Sequence, residues 1–405
     1  MVMPGWIETT IGALVDSKQI SIQTGPFGTV LSASEYVDHG IPVISVREIR
    51  QGRIEFFDET PAVSDSTYHK LPQFALRPYD LVFARKGNVD RSALIPEDTQ
   101  KLFLGSDGIR LRFSDPTLAK IVFYYVQSSQ TRQFLTVSAY GTTMAGLNEA
   151  IISSIPICIP ANSNEQLRIA EALSDMDELI VSLEKLITKK RAIRQGAMQE
   201  LLTGKRRLPG FSGEWNAVEL RKLGRFVGGG TPSTNNLDWW KGKTPWISSS
   251  DLEENQIRTI KMSRYITEEA ISHSATNLCP AGAILVVSRV GVGKVAVAPV
   301  DLCTSQDFTN IIVNNCNSFF LAYTLSIVMK EKAATTQGTS IKGVTSDEIA
   351  SIKVRIPSRM EQDAIANALE SIDQDIGSIE KQYLKSRQIK HGMMQQLLTG
   401  KIRLV

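Results

Sequence analysis

Cysteine and histidine are scarce, with four of each in 405 residues. Cys158, Cys279, Cys303 and Cys316 form no CxxC pair, and His39, His69, His273 and His391 are scattered. No metal-ligand spacing emerges, and the thiols read as reduced and structural. Long apolar runs are missing as well: no segment approaches the ~20 residues of a membrane span. The start, MVMPGWIETTIG, has neither the basic region nor the apolar core of a signal peptide. A cytoplasmic protein without membrane attachment is expected. Net charge is small, at +3, and names no partner.

Catalytic motifs are also lacking. There is no Asn/Asp-Pro-Pro-Tyr/Phe string of the amino-methyltransferase kind and no nuclease-like carboxylate cluster. Gly291-Val292-Gly293-Lys294 superficially suggests a phosphate loop, but that motif needs a glycine where Ser288 stands and a hydroxyl where Val295 stands. No catalytic residue, cofactor or metal is expected.

What is present is a long internal repeat. Apolar residues make up 42% of the chain, enough for two or three domains with real cores. Glu165–Leu208 recurs as Glu361–Leu404, a constant offset of 196 residues, with roughly half the positions identical. Glu165-Gln166 answers Glu361-Gln362, and both copies close on LLTGK, at Leu201–Lys205 and Leu397–Lys401. Apolar residues fall every three or four positions: Ile169, Leu173, Met176, Ile180, Leu183 and Ile187, then Ile365, Leu369, Ile372, Ile376, Ile379 and Tyr383. That is a coiled-coil seam. Gly204 and Gly400 should end the helices, each then about 38 residues and about 57 Å long.

Acids fill the first half of each copy and bases the second. Packed antiparallel, acidic halves face basic halves, whereas parallel packing opposes like charges. The basic halves, including Lys189, Lys190, Arg191, Lys385, Arg387 and Lys390, either balance those acids or contact phosphates, and both readings stand.

The remaining chain reads as two mixed α/β lobes. In the first, Pro42–Val46, Leu81–Ala84 and Ile109–Leu111 look like strands and Leu118–Val137 like a helix. The second repeats the order more loosely: Pro42-Val43-Ile44-Ser45 answers Pro245-Trp246-Ile247-Ser248, and Arg85-Lys86-Gly87 answers Arg289-Val290-Gly291. The expected fold is α+β, two mixed α/β domains separated by two long antiparallel helices in a pseudo-two-fold repeat. Its segments are 1–160, a helix over 161–204, a linker 205–214, a second domain 215–357 and a helix over 358–405. Because the ending LLTGKIRLV joined to MVMPGW nearly recreates the linker LLTGKRRLPGFSGEW, the two ends should lie close together.

These strings resemble a family. LLTGKRRLPGFSGEW at Leu201–Trp215, the EQxxIAxxL helix starts, GGTPS at Gly229–Ser233 before WWKGKTPWIS at Trp239–Ser248, and TGPFG at Thr24–Gly28 look like the specificity subunit of type I restriction-modification systems. The resemblance spans essentially the whole chain. It implies two target recognition domains that read the halves of a bipartite site on double-stranded DNA. It also implies helices that dock two modification (methyltransferase) subunits, a separate restriction and translocase subunit, and catalysis in those partners. Two other readings remain: a two-lobed coiled-coil adaptor that binds proteins, and a methyltransferase or nuclease with unrecognised motifs.

Base readout requires Arg, Lys, Asn or Gln at base edges. Candidates for DNA contact in the first lobe are Arg85, Lys86, Asn88 and Arg91 after a strand, with Tyr140, Thr142 and Thr143 on a later loop. In the second lobe they are Ser288, Arg289 and Lys294, then Gln337, Thr339, Ser340 and Lys342. The same side chains also suit solvated loops or, for Arg85 and Arg289, pairing with structural carboxylates.

Overall fold

Two helices of 39 residues, Ser163–Leu201 and Arg359–Leu397, follow the two copies of the repeat. They belong to a computed structural model that describes residues 4–140, 146–336 and 343–404, apart from the side chains of Tyr140, Thr335 and Thr336. The chain forms two compact units, Met1–Glu184 with Lys381–Val405, and Lys185–Glu380, and the division falls within each long helix.

In the first unit, strand Trp6–Thr10 pairs antiparallel with Pro156–Pro160, which leads into the first long helix. A four-stranded antiparallel sheet runs in the order Ile20–Thr24, Gly108–Phe113, Leu81–Ala84, Ser92–Leu94. Beside it lies a five-stranded sheet in which Ile41–Ile44 pairs parallel with Leu102–Leu104. The residues of Leu81–Ala84 are fully buried, in keeping with a central strand covered on both faces. Helical residues over Leu118–Val137 form two helices, Pro116–Gln127 and Ser129–Tyr140. The single helix expected there is interrupted because Ser128 turns extended (φ −63°, ψ 149°) and its hydroxyl accepts from the Thr131 N–H at 3.3 Å.

The second unit repeats this plan. Asn216–Glu219 pairs with Lys353–Ile356 ahead of the second long helix. Its four-stranded sheet is ordered Gly224–Gly228, Phe308–Val313, Ile284–Val287, Val295–Val297. In a second four-stranded sheet, Thr244–Ile247 pairs parallel with Leu302–Thr304. One uninterrupted helix, Ser318–Thr336, stands where the first unit has two.

The repeated dipeptide Glu-Gln builds the junction between strand and long helix. Gln166 donates to the Pro160 carbonyl at 2.6 Å, and Gln362 to the Pro357 carbonyl at 3.0 Å. Glu165, almost fully buried, accepts both arms of Arg403 at 2.5 and 2.7 Å, and Glu361 does the same for Arg207 at 2.5 and 2.6 Å. Both arginines continue outward, Arg403 to the Pro4 carbonyl and Arg207 to the Gly213 carbonyl, each at 2.8 Å. The chain's first described residues are thus held by its last turn in the first unit as the internal linker is held in the second.

Side-chain pairs within each unit establish the antiparallel sense. In the first unit Glu165 meets Arg403, Asp177 meets Lys390 and Glu184 accepts from Tyr383. In the second, Lys190 meets Asp375, Arg194 meets Asp373 and Arg207 meets Glu361. Numbers rise on one helix as they fall on the other. Lys190, Arg191 and Lys390 therefore balance facing acids. Every expected seam residue is buried or half-buried, with Ile169 and Leu173 in the core of the first unit and Ile365 and Leu369 in that of the second.

Each lobe also reaches its helix through a tyrosine. Tyr124 donates to Asp177 at 3.1 Å, and Tyr323 to Asp373 at 2.5 Å. Burial, reinforced by these carboxylates, pushes both phenols far above their ordinary value, so the donating form persists.

Candidate nucleic-acid interface

In the first unit, four loops converge at one end of the four-stranded sheet. The chain leaves Leu81–Ala84 at Arg85, whose N–H donates to the Asp107 carbonyl at 2.8 Å and whose carbonyl accepts from Leu147 at 2.7 Å. The loop after Ile20–Thr24 is drawn in by Glu149, which accepts from the Thr24 N–H at 2.9 Å and its hydroxyl at 2.7 Å. Gly25 is required there because a Cβ would stand 1.8 Å from the Gly105 carbonyl oxygen. The loops enclose an open cavity of 260 Å³ lined by Phe27, Phe74, Arg85 and Glu149 among others.

The second unit builds the same cluster. Ser288 donates from its N–H to Asp307 at 2.8 Å and accepts from Val344 at 2.7 Å. A cavity of 330 Å³ is lined there by Ser288, Arg289, Gln306 and Thr345 among others. Strand register pairs Gly108 with Ala84 and Phe308 with Val287, so Arg85 corresponds to Ser288. The sequence alignment of Arg85 with Arg289 is therefore corrected by one residue, and Arg289 stands where Lys86 does. A one-residue slip matters in a strand-following loop because it reverses the direction of each side chain.

The candidate residues differ in what already occupies them. Lys86 pairs with Asp107 at 3.0 Å. The Asn88 amide, turned so that its oxygen faces Arg91, accepts from that guanidinium at 2.5 and 3.2 Å. Ser288 is buried and its hydroxyl donates to the Asp307 carbonyl at 3.2 Å. Lys294 donates to the Ser249 and Leu252 carbonyls at 3.2 and 2.8 Å, which ties down its own domain. Arg289 is exposed, and Arg85, half-buried, lies with its guanidinium 5.2 Å from the Phe27 ring centre. The side chain of Tyr140, and Thr142, Thr143, Gln337, Thr339, Ser340 and Lys342, lie outside the described residues.

Residue-type reasoning passed over Phe27, Glu149, Thr231 and Gln306. The first and third lie in the strings TGPFG and GGTPS, which carried the resemblance but were not read as sites. Among the described residues no cluster of His, Cys, Asp or Glu could hold a metal ion. Burial raises the thiols of Cys279, Cys303 and Cys316 to about 12, 11 and 11, which suits packing rather than nucleophilic chemistry. No described helix is long and apolar enough to cross a membrane.

A family model for the type I restriction modification DNA specificity domain matches residues 24–194 and again 212–386. The MjaIX specificity subunit of a type I restriction enzyme from Methanocaldococcus jannaschii is 34% identical over 42% of this chain and 40% of that protein. The putative MjaX specificity subunit from the same organism is 25% identical over 90% of this chain and 88% of its own length. Among solved structures, the type I restriction-modification S subunit from M. genitalium shares the fold, with a TM-score of 0.65 over 97% of this chain and 96% of that one at 16% identity.

Proposed function

Because the chain belongs to the type I restriction modification DNA specificity family, a family of targeting subunits rather than catalysts, we propose that it reads a bipartite site on double-stranded DNA for a type I restriction-modification complex. Residues 1–160 and 215–357 each read one half. The two long helices, with their repeated Glu-Gln starts and LLTGK ends, dock two modification (methyltransferase) subunits in equivalent ways. A restriction and translocase subunit completes the assembly.

The observation that carries this reading is the loop cluster found at the same sheet end in each unit. Its backbone hydrogen bonds are the same in both, at 2.8 and 2.7 Å, while Arg85 and Phe27 in one are replaced by Ser288 and Thr231 in the other. One scaffold thus presents two chemistries, as two unlike half-sites require. Methylation sequencing of DNA from cells with and without the gene should return one bipartite motif that depends on it. Exchanging residues 1–160 for those of another family member should change one half of that motif. No gene-dependent motif, or a change in both halves, would overturn the reading.

A further inference from the structure

Phe27 is 57% exposed although it is a large aromatic residue on a tightly constrained loop. Its carbonyl accepts from Val30 and Leu31 at 2.8 and 3.1 Å, while Gly25 and the Thr24–Glu149 contacts fix the chain just before it. The ring is therefore held out by the backbone. Beside it lies Arg85, with no carboxylate in ion-pair range among the described residues, whereas neighbouring Lys86 is paired with Asp107. A guanidinium held by the electron-rich ring face keeps its donor edge available for a planar acceptor pair.

Resting on the proposed DNA-reading function, we propose that Phe27 and Arg85 together read a thymine-guanine step in the half-site owned by residues 1–160. Guanine offers two major-groove acceptors, O6 and N7, that match the guanidinium fork. Thymine offers a C5-methyl group, the one apolar projection on that edge, which suits the exposed ring. The neighbouring positions on the base stack match a ring and a guanidinium that are themselves neighbours. In the second unit the corresponding positions are Thr231 and Ser288, by the registers Thr24 to Ile109 and Gly228 to Thr309 for the first and Ala84 to Gly108 and Val287 to Phe308 for the second. Ser288 is buried and Thr231 donates to Gln306, so that unit has neither the ring nor the fork at this place. The second half-site is read by other means.

The test begins with the motif found by methylation sequencing and continues with the full chain, in complex with its modification subunit, binding duplexes of that motif. Arg85→Ala and Arg85→Lys should each lose about 10- to 100-fold of the preference for one guanine in the first half-site. Wild type should discriminate in the same way against 7-deazaguanine at that position. Replacing the adjoining thymine by uracil removes only the methyl group and should weaken wild type about fourfold, while Phe27→Ala should not respond to that change. Selectivity for the second half-site, unchanged in all variants, reports an intact fold. A first half-site with no thymine-guanine step on either strand overturns this inference and leaves the specificity function standing. Arg85→Ala weakening every duplex by the same factor also overturns it, because that is the behaviour of a phosphate contact. Absence of any gene-dependent motif overturns both.

Discussion

Replacing Gly204 by alanine should destabilise the second unit, although the same replacement eight residues earlier, at Gly196, should stabilise it. Gly204 follows the first long helix and adopts φ +71°, the left-handed conformation that ends helices. Beyond it the Arg206 N–H reaches back to the Glu200 carbonyl at 3.2 Å, so the turn also satisfies a terminal carbonyl. For an L-residue that conformation costs about 1–2 kcal/mol. A Cβ would also stand 3.3 to 3.6 Å from indole carbons of Trp215, which is buried against Phe320. Gly196 is different, for its Cβ would meet nothing within 4 Å in the helix interior, where alanine is favoured by about 0.5–1 kcal/mol.

For a unit of roughly two hundred residues, about 2–4 °C of melting temperature accompanies each kcal/mol. Gly204→Ala should therefore lower the transition of its unit by about 2–8 °C and Gly196→Ala raise it by about 1–4 °C. The repeat supplies an independent replicate. Gly400, at φ +70°, would place its Cβ 3.0 Å from Trp6, and Gly392 is as open as Gly196. Gly400→Ala should thus cost at least as much as Gly204→Ala. Calorimetry and circular dichroism on the four single variants measure the signs directly. A Gly204→Ala protein as stable as Gly196→Ala would refute the assignment of LLTGK as a left-handed helix stop seated on a tryptophan.

Other expectations follow from the contacts between lobe and helix and from the buried groups. Tyr323→Phe removes a hydrogen bond to the Asp373 carboxylate from a fully buried site and should cost about 1.5–3 kcal/mol in urea unfolding. DNA selectivity should be unaltered, and an unshifted midpoint would count against that latch. At pH ~8, thiol reagents should modify half-buried Cys158 before Cys279, Cys303 and Cys316, with all four reacting only in denaturant. Rapid labelling of Cys303 or Cys316 in the native chain would contradict their packing. The carboxyl of Asp363 is held below its ordinary 3.8 by the Asn317 amide first and the Arg359 guanidinium next. Its folded value being depressed, its contribution is complete above the ordinary value and is lost as pH falls through the folded one. Asp363→Asn should flatten the loss of stability below about pH 4, and an unchanged acid limb would exclude this role.

The helical frame is legible because its causes are written in the repeat's own periodicity and charge order. Gln166 and Gln362 meet carbonyls a few residues upstream, and Glu165 and Glu361 meet arginines just past the LLTGK end of the other helix; because both helices run from acids to bases, periodicity and charge are sufficient to indicate the antiparallel pairing. The break at Ser128 was hidden because serine tolerates helix interiors, and only the cap on Thr131 reveals that here it ends one helix and starts another. The Phe27–Arg85 pair was invisible for a different reason. Its members lie on loops far apart in sequence, and the register of Gly108–Phe113 against both Ile20–Thr24 and Leu81–Ala84 brings them together. Sheet register is a long-range property with no signature in either loop.

The internal repeat also separates frame from reader on physical grounds. Where the two units use the same contact, its residues sit at the 196-residue offset or differ only within a charge class: Glu165–Arg403 matches Glu361–Arg207, and Asp177–Lys390 matches Asp373–Arg194. Those carboxylates sit against helix ends or lobe tyrosines, where an unpaired charge would be costly, so substitution is confined to like charge. At the loop cluster, by contrast, the matched hydrogen bonds are all backbone to backbone, Arg85 and Ser288 each joining Asp107 or Asp307 and Leu147 or Val344 through main-chain atoms. A contact made by the main chain leaves its side chain free to change. The same geometry can therefore carry a guanidinium and a ring in one unit and two hydroxyls in the other without altering the fold, and this is the physical basis on which one architecture presents two different chemistries at the same place.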